Sequence, residues 1–143
     1  MGFPFRKILV AVDFGDDNAL AACEFAAKIA AQNSGTLYLL HAVPDFIAPM
    51  ESAVTDSDLI ERAAKEKLKD IVRDYVPAEV RYEVLACVGD AAGGVLMAAK
   101  NVGADLVVIG THGRKGLSHL VLGSVAEKVI REAPCPVLAV RRA

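Results

Sequence analysis

Three short, continuously apolar runs, at 7–13 (KILVAVD), 36–43 (TLYLLHAV) and 105–110 (DLVVIG), constrain this chain more than any other feature. An uninterrupted apolar strand has both faces buried, as in a parallel sheet covered by helices on each side. Helical spacing fills the intervals. Asp16 or Asp17 can cap a helix that runs to about Gln32 and ends in residues 33–35. Its polar residues Glu24, Lys28 and Gln32 form one narrow stripe, and the remaining Ala, Leu, Cys, Phe and Ile predict deep packing against the sheet. Residues 56–75 place Ile60, Ala64, Leu68, Ile71 and Tyr75 on one face of a second helix, with its charges turned to solvent.

Residues 80–88 alternate, with Val80, Tyr82, Val84, Ala86 and Val88 to one side, which predicts a half-exposed strand at a sheet edge. Gly89-Asp90 opens a helix reaching Val102 and ended by Gly103. Gly93 and Gly94 in its early turns mark either tolerance near a helix end or another group close to the backbone. A helix over 125–132 and a strand over 137–140 complete the order βαβαβαβαβ. Strands alternating with helices require right-handed crossovers and a parallel sheet. The expected fold is a three-layer α/β/α, Rossmann-like single domain over 1–143, with a five-stranded parallel sheet in the order 3-2-1-4-5.

Composition excludes several functions. A net charge of −2 lacks the basic excess that captures nucleic acid. Cys23, Cys87 and Cys135 form no CxxC pair, and their odd number and wide spacing suit a reduced compartment rather than a disulfide framework. The N-terminal apolar run is too short for a signal peptide and no segment is long enough to span a membrane, so a cytoplasmic protein without membrane contact is expected.

Open parallel sheets bind ligands beyond the carboxyl ends of their strands, where the strand order reverses. In the expected order that crevice lies between Asp13, ending strand 1, and Gly110, ending strand 4. The chain after strand 4 reads GTHGRKGLSHLVLGSVAEKV, with glycines at 110, 113, 116 and 123. Glycine admits close approach, so backbone amides can converge on an anion. Ser124 precedes Glu127 by three residues, which predicts a capping box at the head of the last helix, where a phosphate could meet exposed amides. Arg114 and Lys115 could add charge-assisted bonds to phosphate. Singly, each feature also reads as a plain helix cap, a turn or a solvated loop charge; their joint position favours phosphate binding.

This segment resembles the ATP-binding branch of the universal stress protein family, whose members carry G-x2-G-x9-G-[S/T] after the fourth strand. Gly110, Gly113, Gly123 and Ser124 match that pattern. The strand-1 ending VAVD, the Gly89-Asp90 turn and the closing APCPVLAVRR are also similar, so the resemblance covers about residues 5–142. It implies an adenine nucleotide alpha hydrolase-like fold and ATP as ligand, with Mg²⁺ or Mn²⁺ carried on the phosphates. By the same resemblance Ala11, Val12 and Asp13 would contact the adenosine and Val43 would line the adenine pocket. Gly110, Thr111, His112, Gly113 and Arg114 would wrap ribose and phosphates, and Gly123, Ser124 and Val125 would close over the phosphate tail. The resemblance further implies a homodimer through residues 137–140 and a regulatory protein partner. Where many relatives have Ser or Thr soon after the strand-1 Asp, this chain has Gly15, Asp16 and Asp17. Acids there would weaken triphosphate binding or increase its dependence on a metal ion.

Other functions remain open at this stage. A slow ATPase needs a base; His112, Asp13 and Glu127 are candidates that no spacing separates. A partner-binding dimer without nucleotide would lack the full glycine pattern. Adenylate-forming and sulfur-transfer enzymes place a glycine-serine loop after strand 1, which FGDDN is not. His41, His112 and His119 lack metal-ligand spacing, and His41 reads better as a hydrogen-bonded strand residue. The long segment 44–55 reads as a lid or a contact surface.

Overall fold

The computed structural model describes residues 5–14, 16–44, 57–111 and 122–141. The elements are β1 (Lys7–Ala11), α1 (Asp17–Asn33), β2 (Thr36–Val43), α2 (Ser57–Tyr75), β3 (Arg81–Val88), α3 (Ala91–Val102), β4 (Leu106–Gly110), α4 (Ser124–Glu132) and β5 (Val137–Val140). All strand pairings are parallel, in the order β3-β2-β1-β4-β5. This is the expected doubly wound topology. Register aligns Lys7 with Thr36, Ile8 with Leu106 and Val107 with Val137.

The central strands are apolar throughout because each face has its own core. Ile8, Val10 and Val12 pack with Leu37, Leu39 and Val108 beneath α1 and α2. Leu9, Leu40, Val107 and Ile109 point the other way, onto α3 and α4. Helix α1 meets the sheet through Ala22, Cys23, Ala26, Ala27 and Ala30, all 0–1% exposed. Small side chains let this helix approach closely, which fits the narrow polar stripe seen in sequence. Phe25 departs from that reading, since 48% of it is exposed. Burial, with a smaller contribution from Glu24, pushes the Cys23 thiol up to about 12, so it stays protonated and unreactive. All three cysteines are free.

Several boundaries and faces differ from expectation. β1 stops at Ala11 because Asp13 enters a turn, its carbonyl accepting the Asp16 amide at 3.1 Å. The left-handed residue after α1 is Ser34, at φ 54°, with Gly35 following it. Gly35 is needed for contact: a Cβ there would lie 2.9 Å from the Phe5 carbonyl oxygen. In α2 the buried line is Ala64, Leu68 and Val72, continued by Val76 just past the helix, and Tyr75 lies 37% exposed beside it. β3 is an edge strand as expected, but its alternation is not clean. Val84 packs on the α1/α2 side, Leu85 and Cys87 on the α3/α4 side, and Tyr82 is 44% exposed. Helices cover parts of both faces, so neither face is wholly wet. At Gly94 the approaching group is Cys87, whose Sγ would lie 2.5 Å from an added Cβ.

Candidate functional site

The fold sends the chain to opposite faces after β1 and after β4, although the two strands are neighbours. That divergence opens a crevice at their carboxyl ends. A cavity of about 900 Å³ occupies it. Ala11, Val12 and Asp13 form the β1 wall and Val43 lies at the end of β2. Gly110 and Thr111 form the β4 wall, and Gly123, Ser124 and Val125 close the cavity at the head of α4. Nine of the twelve expected site residues therefore share one cavity. The other three, His112, Gly113 and Arg114, lie outside the described residues, as do Lys115, Gly116, His119 and residues 45–56.

The head of α4 corrects the sequence reading. Its N-cap is Gly123, in extended backbone at φ −65°, ψ 155°, and no side chain caps the helix. Ser124 is the first helical residue, so its hydroxyl stands one position too late for a capping box. Glu127 does not reach back either: its carboxylate accepts from Arg131 at 2.7 Å. The other two helix starts with a defined cap are closed. Asp16 accepts from the Asn18 amide at 3.0 Å, and Asp90 from the Gly93 amide at 2.9 Å. The first amides of a helix have no acceptor within the helix and carry the positive end of its dipole. At α4 they border the cavity without a side-chain cap. The segment is also anchored, because the Gly123 amide donates to the Thr111 carbonyl at 2.7 Å and the Thr111 amide to that of Val140 at 3.0 Å.

The opposite wall is acidic and aromatic. Asp16 is only 8% exposed yet lines the cavity beside Asp13. Burial raises its carboxyl above the usual carboxylate value, and the charges of Asp13 and Asp17 push the same way. The Asn18 and Ala19 amides oppose the shift. The first turn of α1 packs directly on β4: a Cβ on Gly110 would lie 3.1 Å from Asn18. His41 is buried, and its Nδ1–H donates to the Val12 carbonyl at 2.7 Å, the satisfied strand histidine read from sequence. The Phe14 ring lies 3.9 Å from the His41 ring, and the Lys67 ammonium lies 5.5 Å from the Phe14 centroid.

Sequence reasoning missed this last group. Ile60, Ala63, Ala64 and Lys67 bring α2 to the cavity as a further wall. Lys67 follows Ala64 by three residues on a helix crowded with solvent-facing charges, and no spacing singles it out. Among the described cavity-lining residues, Lys67 is the one Lys or Arg, opposed by Asp13 and Asp16. No group of three His, Cys, Asp or Glu able to hold a metal ion exists among the described residues. A protein-only metal cage does not fit here. An ion that arrives on phosphate oxygens and takes one or two carboxylates does.

Crevice and topology define a doubly wound α/β protein with a cavity at the strand-order switch. The chain belongs to the universal stress protein family, whose sequence profile matches residues 4–141. It is 37% identical over 140 residues to a universal stress protein of Thermus aquaticus, covering 96% of this chain and 99% of the relative. The solved structure of MJ0577, a universal stress protein of Methanocaldococcus jannaschii, superposes with a TM-score of 0.81 at 25% identity, covering 99% of both chains. Two further solved structures, each 26% identical, hold nucleotides. One is a universal stress protein in complex with cAMP (TM-score 0.69, covering 96% of this chain and 97% of that one). The other, from Archaeoglobus fulgidus, is in complex with dAMP (TM-score 0.66, covering 96% and 99%). Among the described residues no helix is long and apolar enough to cross a membrane.

Proposed function

We propose that this chain binds an adenine nucleotide in the cleft between β1 and β4 and acts as a nucleotide-responsive regulatory module. One observation carries the reading: the uncapped head of α4 borders the same cavity as Asp13, Val43 and Gly110. Adenosine would lie against Ala11, Val12, Asp13 and Val43, with the phosphates at Gly110, Thr111, Gly123, Ser124 and Val125. His112, Gly113 and Arg114 would complete the phosphate loop. The cAMP and dAMP complexes of relatives support adenine as the base. ATP is the proposed ligand, with Mg²⁺ or Mn²⁺ riding on its phosphates and the Asp13 and Asp16 carboxylates close enough in the cavity to serve that ion.

A switch fits the described residues better than an enzyme. Of the candidate bases, Glu127 is held by Arg131 and lies outside the cavity lining, which leaves Asp13 among the described residues. β5 ends the sheet with apolar residues at its outer edge, and pairing with a second copy would cover them. A homodimer through Val137–Val140, working in the cytoplasm on a regulatory protein partner, completes the proposal.

Calorimetric titration of nucleotide-stripped protein with ATP, with and without Mg²⁺, tests it. Micromolar binding without multiple turnovers is the expected result. No heat of binding under either condition would overturn the nucleotide reading and favour a partner-binding dimer.

A further inference from the structure

The sequence places two acids in the β1–α1 connection, and the fold separates them. Asp17 is exposed and does not line the cavity, whereas Asp16 lines it at 8% exposure. Asp16 cannot readily turn away from a ligand, because its carboxylate caps α1 through the Asn18 amide at 3.0 Å. Asn18 in turn packs on Gly110, the residue from which the phosphate loop departs. The carboxylate is therefore fixed and shielded from solvent in the cavity that Gly110 also lines. Asp13 adds a second negative charge in the same cavity.

Resting on the nucleotide reading above, we propose that Asp16 makes this cleft discriminate by phosphate-chain length. A single phosphate can settle on the uncapped amides of α4. A triphosphate brings more negative charge into a poorly solvated crevice that already holds two carboxylates, where attraction and repulsion are stronger than in water. Without a divalent cation the cleft prefers adenosine monophosphates over ATP. With one, the Asp16 and Asp13 carboxylates would help hold the ion, whose charge would offset the repulsion and admit ATP.

The test is Asp16→Asn, with Asp16→Ser as a second variant, since both replacements cap a helix as well as Asp does. Adenosine, AMP and ATP are titrated into wild type, both variants and Asp17→Asn, with and without Mg²⁺. In wild type without metal, AMP should bind at least about tenfold more tightly than ATP. In Asp16→Asn, metal-free ATP affinity should rise about tenfold with adenosine unchanged, and the Mg²⁺ enhancement should shrink. Asp17→Asn should behave as wild type. An unchanged ATP-to-AMP ratio in both Asp16 variants, or an equal gain for all three ligands, would overturn the discrimination while leaving the nucleotide site standing. Failure of adenosine, AMP and ATP alike to bind wild type, with and without Mg²⁺, would overturn the nucleotide site itself.

Discussion

Helices α1 and α4 begin at the same crevice, on opposite faces of adjacent strands, and their first turns are built in opposite ways. Helix α1 starts with Asp16, whose carboxylate occupies the Asn18 amide and satisfies its own helix. Helix α4 starts with Gly123, which has no side chain to offer. A capped start contributes stability, typically about 1 kcal/mol. An uncapped start forgoes that stabilisation and keeps donors available for an external anion. Helix α3, whose first residue Ala91 also lines the cavity, is capped by Asp90 in the way α1 is capped by Asp16. The comparison teaches that the absence of a stabilising residue can be the functional signal.

The sharpest way to break this contrast is to give α4 a cap of its own. Gly123 sits in extended backbone that any residue adopts, so Gly123→Asp should fold and place a carboxylate over the α4 amides. Nucleotide affinity should fall by about a hundredfold or more, while thermal unfolding moves slightly upward. Calorimetry and a melting curve on the same sample decide it; affinity preserved in this variant would remove the α4 head from the site.

Disturbing the junction between the two helix starts comes next. In Gly110→Ala the new Cβ would meet Asn18 at 3.1 Å, so β4 and the first turn of α1 must separate slightly. Overpacking of this kind costs about 1–3 kcal/mol, measurable by denaturant unfolding, and should weaken nucleotide binding as well. Unchanged stability would show that the junction yields freely. Removing a cap with no ligand role should have a purely structural effect. Asp90→Ala should lose about 1 kcal/mol of stability and leave nucleotide affinity where it was. An affinity loss matching that of the α4 variant would erase the distinction between the helix starts. The smallest effect belongs to the α2 wall: Lys67→Met should lower ATP affinity only a few-fold, about 0.5–1 kcal/mol, with little change in unfolding. Lys69→Met, whose ammonium pairs with Glu66 on the exposed face, serves as the control.

Much of the fold was legible because its signals are local and repeated. KILVAVD, TLYLLHAV and DLVVIG read as apolar strands, and each holds one, over Lys7–Ala11, Thr36–Val43 and Leu106–Gly110. The crevice between strands 1 and 4 followed from the expected order 3-2-1-4-5. Faces at the rim were harder to read. Tyr82 and Phe25 looked apolar enough to face the core, yet tertiary packing supplied no partner layer at those positions. The capping box at Ser124 and Glu127 satisfied a sequence rule, but the helix begins one residue earlier than that rule requires, at Ser124 itself. Lys67 was hidden among equivalent charges, since only the packing of α2 over Phe14 tells it apart from Lys65 or Lys69.

The sequence by itself determined the run of alternating strands and helices and hence the parallel sheet, because apolar periodicity and glycine spacing report directly on backbone conformation. The tertiary structure alone decided which acid faces the cavity, which helix start stays open and which lysine joins the wall. Those choices depend on a single residue of helix phase or a few ångströms between elements far apart in the chain, and no local pattern encodes either.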